Sequence, residues 1–256
     1  MLLSSGQCME MDTAGVANTD SVDLPFVQAV RGPYCVCTRG KIPEELATRI
    51  MQVVRSGPEA QPKGVLAGRG AVSACEIPPL GRVFVKRYAH GGLLRAVTGG
   101  RFLSIGPVRS KAELEMLEVV RGLGISAPQP FGYVTCGSMI YSTWLLMEEI
   151  QDVESLVELS KRDPDAVIEA MRQLSAQLSI LLKHKILRVD VHPGNVLVNR
   201  QGTVFIVDFD KAHVFAGSLP RLKELYLRRW RRAVIKHGLS PLLTEVMSLT
   251  LRSHDE

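Results

Sequence analysis

Residues 188–199, RVDVHPGNVLVN, and residues 205–212, FIVDFDKA, set three polar side chains at fixed intervals in otherwise apolar sequence. Asp190 precedes Asn195 by five residues, and Asn195 precedes Asp208 by thirteen. The runs NVLVN and TVFIVDF flank Arg200-Gln201-Gly202, which reads as the turn of a β-hairpin. Such a hairpin would bring Asn195 and Asp208 to its open end, beside Asp190 on the preceding loop. The residue types suit a definite chemistry. One carboxylate can orient and deprotonate a hydroxyl, while a carboxamide and a second carboxylate can hold Mg2+ against nucleotide phosphates.

Upstream of this stretch, DPDAVIEAMRQLSAQLSILLKHK predicts a long helix that starts at Asp163 and ends with Lys183 to Lys185 suitably placed for its dipole. VRSKAELEMLEVVRGLG predicts another, capped by Ser110, with Leu114, Leu117 and Val120 or Arg121 at helical spacing and Gly122 or Gly124 as its stop. GRVFVKRYAH alternates as a strand, with Val83 and Val85 on one side and Phe84, Lys86 and Tyr88 on the other, ahead of a turn at His90-Gly91-Gly92. Short apolar runs at Phe26–Val36 and Val65–Val85 favour further strands, as do SAPQPFGYV and YSTWLLMEEI. Strands early and helices late predict an α+β fold of two lobes. The expected organisation is a tail over residues 1–22, an N-lobe over 23–150 and a C-lobe over 151–256.

Within that frame, Gly68 and Gly70 in VLAGRGAVSA could let backbone N–H groups approach phosphates. Lys86, on the following strand, could neutralise the α- and β-phosphates, and a helix glutamate would hold it. Glu113 and Glu115 are both candidates for that partner; Glu113 is preferred because it precedes the apolar stripe. Asp210 either approaches a metal or substrate or accepts local backbone hydrogen bonds, and the second role is the expectation. His192 and Pro193 are expected to shape the turn rather than serve as a base. No cluster has zinc-ligand spacing, and no GxSxG nucleophile motif occurs.

The 256 residues carry a net charge of +5 and are 46% hydrophobic, enough for a substantial core. No apolar run approaches the roughly 18–20 residues needed to cross a bilayer, and the N-terminus lacks a basic segment ahead of an apolar one, so no signal peptide is expected. Five scattered cysteines (Cys8, Cys35, Cys37, Cys75, Cys136) read as reduced thiols of a cytoplasmic protein. Residues 221–237 hold seven Lys/Arg against one acidic residue, Glu224. That local charge suits an acidic partner. Leu222, Leu225, Tyr226, Trp230 and Val234 form an apolar stripe on the same helix, with Arg221, Arg228, Arg231 and Arg232 largely off it. The helix could rest on an anionic membrane, or its stripe could pack on the C-lobe. With two Trp and no recognised motif, nucleic-acid binding is not expected.

Taken together these segments resemble the lipopolysaccharide core kinases, a branch of the protein-kinase-like superfamily, and most closely the kinases of 3-deoxy-D-manno-octulosonic acid (Kdo). The resemblance rests on GRG at Gly68 to Gly70, VKRYAHGGLLR running towards Arg101, the helix with Glu113, RGLGISAPQP, VDVHPGNVLVN and VDFDKA, roughly residues 60 to 240. It implies that Asp190 is the catalytic base, that Asn195 and Asp208 hold Mg2+, and that Lys86, positioned by Glu113, binds the phosphates of ATP. It implies a Kdo hydroxyl of lipid A–linked core oligosaccharide as acceptor, at the cytoplasmic face of the inner membrane. Arg95, Arg101 and Arg109 could then meet the acceptor's carboxylate or phosphates. Two departures stand out. Arg188 occupies a position where the family usually has His, and HPGN is similar to aminoglycoside and choline kinases. An aminoglycoside- or choline-kinase-like phosphotransferase, or a nucleotide-binding pseudokinase, are the alternatives.

Overall fold

The computed structural model describes residues 24–56, 72–89, 101–188 and 190–252. Gly68, Gly70, Arg95, the turn at His90 and the tail over 1–22 lie outside these residues.

The first half builds an antiparallel sheet from β1 (Phe26–Arg31), β2 (Tyr34–Arg39), β3 (Val72–Ile77), β4 (Gly81–Arg87), β5 (Phe102–Leu103), β6 (Pro130–Cys136) and β7 (Ile140–Glu148). The strand order is β1-β2-β6-β7-β4-β3, and β5 pairs with the start of β7. Each face is covered by a helix. α1 (Glu44–Ser56) sets Ala47, Ile50, Met51 and Val54 against Val36, Val83, Val85, Val134, Trp144 and Leu146. α2 (Arg109–Gly122) sets Leu114, Leu117 and Val120 among Tyr88, Tyr133, Leu145 and Met147 on the other face. The alternation in β4 therefore has a physical reading: Val83 and Val85 face α1, leaving Lys86 to the α2 side.

One expectation for α2 is corrected. Its N-cap is Val108 without a side-chain cap, and Ser110 lies inside the helix, where its hydroxyl is buried against that of Thr143. A strand partner outcompeted the helix end for that hydroxyl. The C-terminus follows the sequence: Gly124 takes φ +89°, and Ile125 N–H returns to Val120 O at 3.0 Å. Only a residue without a Cβ enters that turn readily.

The second half begins with β8 (Val153–Ser155) and α3 (Leu156–Arg162), joined by a reciprocal capping box between Ser155 and Glu158. α4 (Pro164–Lys183) follows, with Asp163 accepting from Ala166 N–H at 3.0 Å. Val167, Ala170, Met171, Leu174, Leu178, Leu181 and Leu182 recur at three- and four-residue steps and are all buried. Then come β9 (Ile186–Leu187), a single 3-10 turn at Pro193–Asn195, β10 (Val196–Asn199), β11 (Val204–Ile206) and β12 (His213–Val214). β10 pairs with both β11 and β8, and β12 pairs with β9, closing the segment between them into a loop. β11 ends at Ile206, so Asp208 lies just beyond the ladder.

α5 (Leu219–Lys236) and α6 (Leu242–Arg252) complete the chain. The apolar stripe of α5 is spent on the protein: Leu222, Tyr226, Trp230 and Val234 are in the core, and Trp230 Nε1 donates to Leu243 O at 3.0 Å. Arg221, Arg228, Arg231 and Arg232 are exposed. Of the two roles open to this helix, packing claims its apolar face. Among the described residues no helix is long and apolar enough to cross a membrane. The α+β arrangement expected from the element order is the one observed.

Candidate active site

Lys86 lies near the end of β4, opposite Leu145 of β7. Its ammonium donates to Glu113 Oε1 at 2.9 Å and Oε2 at 2.8 Å, and to Asp208 Oδ1 at 2.7 Å. A strand, a helix and the end of a hairpin, distant in sequence, meet at one charge. Of the two glutamates weighed as partners, Glu113 is the one at Lys86. Glu115 points outward to Lys111 at 3.7 Å, and Glu118 pairs with Arg39 at 2.8 Å.

Glu113 is almost fully buried and also accepts from the Tyr88 hydroxyl. Burial pushes the Glu113 carboxyl up, Lys86 opposes this, and the nearby Asp208 adds to it. Burial works against the Lys86 ammonium, yet Glu113 and Asp208 outweigh it and hold the lysine above its usual value. For Asp208 burial is likewise overcome: Lys86, Arg188 and the Asp210 backbone N–H bring it below the usual carboxylate range. Lys86 and Asp208 are therefore held charged.

Downstream, His192 folds the loop. Its Nδ1 accepts from Gly194 N–H at 3.0 Å, and Asn195 N–H returns to His192 O at 2.9 Å. This is the turn-shaping role expected of it. Asn195 then joins both carboxylate positions: Nδ2 donates to the backbone O of Asp190 at 3.1 Å and faces Asp208 Oδ2 at 3.4 Å, while the Asn195 backbone carbonyl accepts from Val207 N–H at 3.1 Å. Asp208 takes φ +65°, a left-handed conformation that a non-glycine residue holds only when its surroundings impose it.

Arg188 helps to impose it. Its Nε donates to Asp208 O at 3.1 Å and its Nη2 to Val207 O, and the guanidinium lies 5.4 Å from the Phe209 ring centre. The side chain is fully buried, with Nη1 lacking a hydrogen-bond partner. Burial lowers its pKa, against the pull of Asp208, Tyr226, Asp190 and Glu113. The sequence marked Arg188 only as a departure from an expected His; its apolar neighbours in KILRV were the available sign of burial.

Asp190 is half exposed, with Arg229 Nη2 of α5 at 3.2 Å from Oδ1 and His192 Nε2 at 3.9 Å from Oδ2. Asp210 forms an ion pair with Arg109, which corrects the local backbone role expected for its side chain. Arg109 is thereby engaged, and its guanidinium also lies 5.4 Å from the ring centres of Tyr88 and Phe102. Arg101 is exposed just ahead of β5. Tyr88 and Arg229 carried no site role in the sequence, Tyr88 reading as a strand residue beside Lys86 and Arg229 as one of a run of arginines.

Asn195 turns Nδ2 towards Asp208 Oδ2, and a flip of its carboxamide would set two oxygen donors together, the chemistry a hard cation such as Mg2+ takes. Among the described residues no group of three or more His, Cys, Asp or Glu is disposed to hold a metal.

A strand lysine clamped by a helix glutamate thus faces an Asp–Asn–Asp set on a loop and hairpin, groups of the kind that phosphoryl transfer from a nucleotide requires. The chain belongs to the lipopolysaccharide kinase (Kdo/WaaP) family, whose model matches residues 69–241. It is 30% identical over 188 residues to the 3-deoxy-D-manno-octulosonic acid kinase of Xanthomonas oryzae pv. oryzae (strain PXO99A), covering 70% of this chain and 72% of that one. It is 28% identical over 185 residues to the protein of the same name from Vibrio vulnificus (strain YJ016), covering 68% and 77%. Among solved structures, the Cydia pomonella granulovirus kinase PK-1 aligns with a TM-score of 0.44 at 17% identity, over 68% of this chain and 58% of that one.

Proposed function

We propose that the protein transfers the γ-phosphoryl group of ATP to a hydroxyl of Kdo in the lipid A–linked inner core of lipopolysaccharide. The observation that carries this reading is the convergence of Lys86, Glu113, Asn195 and Asp208, with Asp190 at the open edge, in a chain whose relatives are named for that acid. Residues 23–150 are read as the N-lobe and 151–256 as the C-lobe, with the site between the sheet and the hairpin.

Lys86, fixed by Glu113, neutralises the α- and β-phosphates of ATP. Asn195 and Asp208 would hold Mg2+, which when bound offsets charge on the β- and γ-phosphates. Asp190 orients the acceptor hydroxyl and takes its proton. The acceptor oxygen bonds to Pγ, the bridging Pγ–O bond breaks, and ADP leaves. The exposed arginines of α5 support a peripheral association with an anionic leaflet, read here as the cytoplasmic face of the inner membrane.

The deciding experiment is mass spectrometry of Kdo-bearing lipid A after incubation with ATP, Mg2+ and the protein. Gain of one phosphate, abolished by Asp190→Ala, is the expected result. No gain with active, folded protein would reject the acceptor.

A further inference from the structure

We infer that Arg229 of α5 is the receptor for the acceptor's carboxylate, and that its capture of that group uncovers Asp190; this rests on the proposed function above.

The sugar-acid acceptor presents two groups to the protein, a hydroxyl to be phosphorylated and a carboxylate to be recognised. A guanidinium close to the base is therefore the natural specificity element, because its planar fork matches a carboxylate with two parallel hydrogen bonds. Arg229 stands in that place, with Nη2 at 3.2 Å from Asp190 Oδ1. The placement is enforced by the core. Tyr226, one turn earlier on α5, donates to Ile186 O at 2.8 Å and accepts from Arg188 N–H at 3.2 Å. That clasp fixes α5 against the chain immediately ahead of Asp190.

The other arginines near the site are placed for different work. Arg109 is engaged by Asp210, Arg188 is buried against two carbonyls, and Arg228, Arg231 and Arg232 are exposed.

The Arg229–Asp190 contact also creates a problem that substrate solves. Asp190 Oδ1 faces a guanidinium, and Oδ2 faces His192 Nε2 at 3.9 Å. Since His192 Nδ1 accepts from Gly194 N–H, the neutral ring carries its proton on Nε2. The guanidinium thus occupies the place beside Oδ1 that an acceptor hydroxyl would take. Both members of the Arg229–Asp190 pair are well exposed, at 40% and 46%, and a solvent-screened pair of this kind exchanges readily. When the acceptor's carboxylate takes Arg229, Oδ1 is released and the sugar is left within one side chain's reach of it. A neutral acceptor would leave the base covered.

The test compares the acidic acceptor with its methyl ester, using wild type, Arg229→Gln and Arg229→Lys. Wild type should prefer the acid by about 10- to 100-fold in kcat/KM, the scale of a charge-assisted hydrogen bond. Arg229→Gln should lose that factor on the acid, mostly in KM, and change little on the ester, so that discrimination vanishes. Arg229→Lys should keep part of it. Arg172→Gln, altered on the exposed face of α4 where it pairs only with Glu169, should behave as wild type. An equal loss on acid and ester would overturn the assignment, as would a wild type indifferent to esterification. If Arg229→Gln fails to fold, the esterification result and Arg229→Lys still decide. Wild type inactive on both acceptors would instead reject the acceptor class on which the inference stands.

Discussion

Lys86 Nζ and Asp208 Oδ1 stand 2.7 Å apart, so the cation proposed for nucleotide phosphates and the carboxylate proposed for a metal neutralise one another. On that proposal, Mg·ATP trades this contact for two better ones. Lys86→Met should therefore lower Mg·ATP affinity by about 10- to 100-fold, the worth of a charge-assisted hydrogen bond. Isothermal titration of the folded variant measures it; an unchanged Kd would remove Lys86 from the nucleotide site.

Arg188 makes a sharper case, because its guanidinium is fully buried and serves the carbonyls of Val207 and Asp208. Arg188→Met would leave both carbonyls without that donor, at about 1–3 kcal/mol for each group left unsatisfied. Arg188→His should restore one donor and recover part of the loss. Urea unfolding together with Mg·ATP titration should rank the three as Arg, His, Met. Equal stability and affinity for Arg and Met would show that the carbonyl contacts do not position Asp208.

Tyr88 gives the Glu113 carboxylate a donor besides Lys86. Tyr88→Phe keeps the ring in the core and removes only the hydroxyl. Stability should fall by about 1–3 kcal/mol, the cost of one buried acceptor losing a partner. A chemical denaturation midpoint equal to wild type would contradict a structural role for that hydrogen bond.

His192 predicts a pH dependence. Burial lowers its pKa, Asp190 opposes this, Arg188 and His237 reinforce it, and Asp208 opposes it weakly. The folded-state pKa thus lies below the unfolded value of about 6.5, so the unfolded chain binds the proton more readily. The contribution of His192 to stability is complete above about pH 6.5 and is lost as pH falls from there through the folded pKa. His192→Asn keeps an oxygen able to accept from Gly194 N–H. Its denaturation midpoint should fall less than that of wild type between pH 7.5 and 5.5. Parallel curves would exclude His192 as the titrating group.

The parts of this molecule that the sequence disclosed were those where one local rule sufficed. Alternation placed Lys86 on the face opposite Val83 and Val85. A cap and an apolar period bounded the helix from Asp163, and turn chemistry located the hairpin at Arg200-Gln201-Gly202. What stayed hidden depended on partners far along the chain. Ser110 reads as a cap until Thr143 claims its hydroxyl, and Asp210 reads as a turn residue until Arg109 arrives from the start of α2. Arg229 sat unnoticed in a run of arginines, because only the buried Tyr226 and Trp230 decide which of them faces the loop. α1 and α6 were missed although Pro43, Glu44 and Glu45 mark the start of one and Pro241 and Glu245 that of the other.

Arg109 and Glu113 leave α2 one turn apart, and both lead to the same three-residue segment, Arg109 directly to Asp210 and Glu113 by way of Lys86 to Asp208. The helix is thus latched to residues 208–210 at two points, so turning α2 about its own axis would have to break both ion pairs together.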